Sequence, residues 1–286
     1  MREWPYKDLS ELTLMDDYMF GVVMQDPKLA KVVIEAILNV RLRRVEYVEP
    51  QKSMKERYDA KGVRLDLYVE DEDGTVYNVE IQTTNKRNLP KRMRYYQSII
   101  DLHILSPGAN YQKLRKSYVI FICNYDPFGL NRTVYTFENR CLEAPELNFG
   151  DEAVKVVANT RGTEGETGEA LSELLRYLDR GTVSGETSRS LEEAVNDVKN
   201  SEERRREYMV MMAREMEIRE EGREEGRVEG REEGRVEGRE EGRDEGMALM
   251  AILIKKLSAL GRLGDVERMT EDPSYCKRLL KEFQLL

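Results

Sequence analysis

The chain has 286 residues, 40% hydrophobic and 35% charged, with a formal net charge of -9. That length holds one good-sized domain with extensions or two small ones, and the excess of charge requires a segment solvated along most of its length. An acidic chain has no uniform attraction for nucleic acid, so binding of that kind must come from local Lys and Arg clusters.

No run approaches the roughly 18 apolar residues of a membrane span, and the opening MREWPYKDLS carries no apolar leader; the expectation is a cytoplasmic protein with no membrane partner. Cys123, Cys141 and Cys276 are odd in number and widely spaced, which points to reduced thiols and excludes a structural zinc site. His103 is the sole histidine and no nucleophile motif accompanies it, so it reads as a packing residue.

In chain order, LTLMDDYMFGVVMQDPKLAKVVIEAIL places apolar residues at helical spacing on either side of Asp26-Pro27, predicting two short helices. Strand-like runs follow at 44–49, 63–70, 76–82 and 117–124. Between the last two, LPKRMRYYQSIIDLHIL predicts a helix with Asn88 as its cap and Pro90 in its first turn. Tyr95, Tyr96, Ile99, Leu102 and His103 are expected on its broad apolar face. Further strands at 133–138 and 153–158 complete a mixed α/β domain over 1–160. A helical region is expected over 161–218, a charged spacer over 219–246 and a helical C-terminal segment over 247–286.

The spacer repeats a tetrad, E-x-G-R, with glycine at 222, 226, 230, 234, 238, 242 and 246. On a helix, a four-residue period advances about 40° per repeat, so the glycine stripe winds round the axis. Each glycine costs about 1 kcal/mol relative to alanine, while i,i+3 pairs such as Glu220 with Arg223 or Glu224 with Arg227 return about 0.2 to 0.5. Two readings stay open: a helix supported by its flanks or, in coiled-coil fashion, by a partner chain; and a flexible polyampholyte. Ala248, Leu249, Ile252, Leu253, Leu257 and Leu260 then form an apolar stripe that needs cover. Self-association is expected to supply it, giving a homo-oligomer held by residues after 200.

The strongest chemical signal is RLDLYVEDEDGTVYNVEIQ, residues 64–82. A three-residue loop of Glu72, Asp73 and Gly74, with the glycine left-handed, sets a register in which paired residue numbers sum to a constant. Asp66 then faces Glu80 and Arg64 faces Gln82, while Leu65, Leu67 and Val69 meet Ile81, Val79 and Tyr77 on the other side. Two opposed carboxylates repel. A divalent cation such as Mg²⁺ or Mn²⁺ between Asp66 and Glu80 would relieve that repulsion; ordinary charges on an exposed hairpin are the alternative. Directly after it, TTNKRNLPKRMRYYQSII carries Lys86, Arg87, Lys91, Arg92 and Arg94 with no acid before Asp101. Acid pair and basic patch together suit a phosphodiester site.

These segments, with GANYQKLRKSYVIFICNYDPF and the later RREYM and its glycine-arginine repeats, resemble in order the recombination-promoting nuclease/transposase family of the PD-(D/E)XK superfamily. The resemblance covers nearly all of the first 130 residues and, more loosely, the rest. It implies a restriction-endonuclease-like mixed sheet flanked by helices, and metal-dependent cleavage of double-stranded DNA using Mg²⁺ or another divalent cation. Asp66 and Glu80 are the implied metal ligands. Gln82 stands where the wider superfamily has a catalytic lysine, leaving Arg64, Lys86 or Arg92 to supply the missing charge. Asp17 on the first helix, rather than Glu35, is the accessory acid the resemblance suggests. Lys86, Arg87, Lys91 and Arg92 are the expected DNA contacts. The competing functions are a catalytically silent DNA-binding module, raised by Gln82, and an assembly or regulatory protein working through the repeat and tail.

Overall fold

The computed structural model describes residues 7–54 and 63–286; the opening residues 1–6, expected to carry no leader, lie outside them. Its centre is the 64–82 hairpin. Asp71 N–H donates to Thr75 O at 3.1 Å, Gly74 takes φ +77°, and the ladder pairs Leu67 with Val79, Tyr68 with Asn78, Val69 with Tyr77 and Glu70 with Val76. This is the register expected from the alternation. Asp71 locks the turn: its Oδ1 accepts the N–H groups of Asp73 and Thr75 at 3.1 and 2.8 Å, and its Oδ2 accepts the Tyr77 hydroxyl at 2.8 Å.

Around that hairpin, β1 (Val45–Met54), β2 (Val63–Asp71), β3 (Val76–Gln82), β4 (Ser117–Cys123), β5 (Val134–Phe137) and β6 (Ala153–Asn159) form one sheet in the order β1-β2-β3-β4-β6-β5. The β3–β4 and β4–β6 pairs are parallel and the others antiparallel. The parallel centre is apolar on both sides, as a sheet covered on both faces must be: Phe121 and Cys123 alternate with Ile120 and Ile122, all buried.

Helix α3 (Leu89–Ile104) links β3 to β4 and buries Leu89, Met93, Tyr96, Ile99 and Ile100 with Tyr68, Phe121 and Val157. Pro90 sits in its first turn as expected, although the Asn88 side chain makes no cap bond. Tyr95, Leu102 and His103, expected on the apolar face, are exposed instead, because the buried stripe is narrower; the His103 ring stands edge-on to that of Tyr68. Helices α1 (Asp17–Val23) and α2 (Pro27–Leu38) pack on β1 and β2, and Asp26 caps α2 through Lys28 N–H at 2.8 Å. Helices α4 (Glu169–Arg180) and α5 (Glu186–Asn200) pack on α1 and α2, and the chain up to Val210 forms one compact unit.

The second unit is 211–286. Helix α6 (Glu202–Ala259) runs without a break through the whole glycine tract, so the helical reading of the repeat holds. Glu224–Arg227 and Glu232–Arg235 pair at i,i+3, both at 2.6 Å. The apolar stripe behaves differently from expectation. Leu253 and Leu257 are buried by the chain's own α7 (Leu263–Glu271) and α8 (Pro273–Glu282) through Met269 and Leu279, while Ile252 and Leu260 stay exposed. Among the described residues no helix is long and apolar enough to cross a membrane.

Candidate metal centre

At the end of the hairpin away from its turn, main-chain pairing between β2 and β3 gives way to side chains. The ladder stops at Leu67–Val79, short of the direct Asp66–Glu80 and Arg64–Gln82 pairs expected from the register. Glu80 Oε1 accepts the N–H of Asp66 at 3.0 Å, and Asp66 Oδ2 accepts the N–H of Ile81 at 3.0 Å. Each carboxylate fills the place of a strand carbonyl, so the pair is brought together but wedged between the strands. On its other side β3 stays fully paired with β4 through Glu80–Phe121 and Gln82–Cys123, which fixes where both side chains leave the sheet.

Burial and mutual repulsion dominate the electrostatics. Glu80 is completely buried, and loss of water, with Asp66 beside it, holds its carboxyl well above the usual carboxylate range. Asp66 is pushed up to about 6, first by burial and then, against the Ile81 amide that lowers it, by the charge of Asp17. Asp17 is exposed at the start of α1, close enough to act on Asp66 electrostatically. Glu35 is committed elsewhere: it accepts the Leu42 N–H at 2.7 Å and closes the end of α2.

The positive charge comes from α3. Arg92 donates from Nη2 to Glu80 Oε2 at 3.3 Å and from Nη1 to Gln82 Oε1 in a short bond. Nε and Nη2 also reach the Tyr96 hydroxyl at 2.9 and 2.8 Å. The sequence marks Tyr96 only as a face residue; its i+4 spacing from Arg92 is the available signal of the link. Gln82 is held in turn by its own Nε2 donating to Thr84 O at 2.7 Å. Of the other predicted residues, Arg64 is exposed and its charge, last among the causes acting on Asp66, lowers the Asp66 pKa. Lys86, Arg87 and Lys91 are exposed in the β3–α3 loop and the first turn of α3, whereas Arg92 points into the acid pair. Sequence reasoning also passes over Asn78, which is fully buried two residues before Glu80 and whose side chain pulls against the upward shift of the Glu80 carboxyl.

Among the described residues no three acidic, His or Cys side chains gather into a cation cage. The donor set is two carboxylates and the Gln82 amide oxygen, all hard oxygens that fit Mg²⁺ or Mn²⁺ completed by water and phosphate. The buried, mutually repelling pair is the part of the structure that a bound cation would stabilise. The family model described as PD-(D/E)XK nuclease family transposase matches residues 15–144. No curated protein and no solved structure matches the chain.

Proposed function

We propose, from the match of residues 15–144 to the PD-(D/E)XK nuclease family transposases, that the chain is a metal-dependent endonuclease that hydrolyses phosphodiester bonds of double-stranded DNA in recombination or mobile-element processes. The observation that carries the reading is the wedge of half-buried Asp66 and fully buried Glu80, two carboxylates held together at a cost that structure alone does not require.

In this reading Asp66 and Glu80 are the metal ligands, with Gln82 beside them. When bound there, a divalent cation supplies charge neutralisation at the phosphate and a water acidic enough to attack. The chain's own contribution is position. The strand wedge aims both carboxylates, and exposed Lys86, Arg87 and Lys91 contact phosphates on either side of the cut, setting register without reading sequence. Asp17 tunes Asp66 from α1. Self-association through residues after 200 would bring two such centres to one duplex; Val228, Val236, Ile252 and Leu260 are among the apolar side chains that this part of the chain leaves exposed.

One rival has an observation behind it. Gln82 is neutral and its amide oxygen is already taken by Arg92, as in a DNA-binding module that has lost catalysis. Nicking of supercoiled plasmid by the purified chain in Mg²⁺, Mn²⁺ or EDTA separates the two. Metal-dependent nicking supports the enzyme; DNA binding without nicking under every condition supports the silent module.

A further inference from the structure

Arg92 sits where two demands meet. Glu80 Oε2 is a buried carboxyl oxygen, and Arg92 Nη2 is a cationic donor that reaches it at 3.3 Å. With a cation, that same oxygen would be wanted as a ligand, because Glu80 Oε1 is already spent on the Asp66 N–H. The two positive charges therefore compete for one atom. Glu80 is the one acidic group among the hydrogen-bond partners of the guanidinium in the described residues. The Arg92 side chain keeps 32% of its exposure, its guanidinium lies 5.1 Å from the Tyr96 and Phe121 rings, and its other partners are a neutral amide and a neutral phenol.

We propose that Arg92 is an exchangeable partner of Glu80: it occupies Oε2 in the metal-free protein, gives that oxygen up when a divalent cation binds, and then offers its freed N–H groups to the DNA phosphate at the site. The planar guanidinium suits this second role, since it matches phosphate oxygens two at a time. A site with glutamine in place of lysine thus carries its mobile positive charge on α3, four residues before the Tyr96 hydroxyl that guides it. DNA contact by Arg92 becomes metal-dependent, unlike that of Lys86, Arg87 and Lys91, which are exposed already without a cation. This inference rests on the metal-centre reading of the acid pair.

The test is calorimetric titration of Mg²⁺ into the full chain as wild type, Arg92→Gln, Arg92→Lys and Asp66→Ala. Alongside it, binding of a short DNA duplex is measured in EDTA and in Ca²⁺, a cation with the same preference for oxygen. Removing a competing unit charge should tighten Mg²⁺ binding by about tenfold in Arg92→Gln. In that variant the gain in DNA affinity on adding Ca²⁺ should vanish. Arg92→Lys, which keeps the charge but cannot bridge Glu80 and Gln82 together, should bind Mg²⁺ with an intermediate affinity and keep part of the gain. It also guards against a glutamine variant that fails to fold. Unchanged or weaker Mg²⁺ binding in Arg92→Gln, or a DNA gain that survives there, overturns the exchange. Mg²⁺ binding that is absent from wild type, or identical in Asp66→Ala, instead overturns the metal-centre reading, and the exchange falls with it.

Discussion

Asp66 and Glu80 each clamp the other's strand: Glu80 Oε1 takes the Asp66 N–H and Asp66 Oδ2 takes the Ile81 N–H, both at 3.0 Å. Backbone pairing would satisfy those two amides without any charge. Placing carboxylates there costs desolvation and repulsion, which makes the pair the point where stability is given up for function.

The cost has a pH signature. The native state keeps the Asp66 proton up to about pH 6, whereas an ordinary aspartate releases it near 3.8. Between those values the folded chain binds more protons than the unfolded one, so stability falls as pH rises through this window and stays low above it. Glu80, also shifted upward by burial, acts in the same direction. In metal-free buffer at pH 8, Asp66→Asn should therefore raise stability by about 1–3 kcal/mol. Below pH 4 that advantage should disappear. Thermal melts across pH 4–8 measure it, and a variant no more stable than wild type at pH 8 would mean that Asp66 carries no strain. DNA cleavage, which needs the ionised pair, should rise with pH across the same window.

The exposed basic residues make a separate claim. Replacing Lys86, Arg87 and Lys91 with alanine should weaken DNA binding for every sequence and lower the slope of log affinity against log salt by about one for each phosphate left without its cation. Binding measured at several salt concentrations checks this; an unchanged slope would move the DNA path away from the β3–α3 loop.

Much of this was legible in the chain. Strand positions and the hairpin register followed from strict alternation either side of Gly74, because a slip of one residue would have put Glu80 opposite Leu67. Which of Arg64, Lys86 and Arg92 turns toward the acid pair was not. An arginine in the first turn of a helix reads the same whether it meets a phosphate outside or a carboxylate across the sheet, and only the β3–α3 geometry decides. The splay after Leu67–Val79 was hidden for a related reason: register rules assume backbone partners, and here side chains took their place. The cover over Leu253 and Leu257 depends on α7 and α8 folding back, which periodicity along one helix does not reveal.

The glycine tract gives a local test. A methyl group added at Gly226, Gly230, Gly234 or Gly238 would meet nothing within 4 Å, and each sits inside α6. Alanine there should stabilise the helix by about 1 kcal/mol per site, visible as greater ellipticity and a higher melting temperature. If the same variants dissociate an oligomer seen by light scattering, the glycines serve close approach of a second chain; a stabilised helix with unchanged mass would show that they do not.

The C-terminal core makes the complementary claim. Leu257→Ala should destabilise the packing of α6 with α7 and α8 by about 2–5 kcal/mol and leave the acid pair untouched, since Leu257 lies in the second unit. Light scattering on the full chain and on one truncated after residue 216 tests self-association. That cut keeps Tyr208, whose ring lies 4.9 Å from that of Tyr18 and whose hydroxyl donates to Lys7 O, so the first unit retains its packing. A monomeric full chain, or a truncated one of unchanged oligomeric state, would remove the tail from assembly.

The central claim is that Asp66 and Glu80 together hold the cation that cuts DNA. It is tested most directly by plasmid nicking in Mg²⁺ with wild type, Asp66→Ala and Glu80→Ala side by side, each shown to be folded by its melting curve. Wild type should nick and stop with EDTA, and both variants should fall to background while melting at the wild-type temperature or higher in metal-free buffer. Either variant nicking like wild type, with the same dependence on metal, would contradict the account.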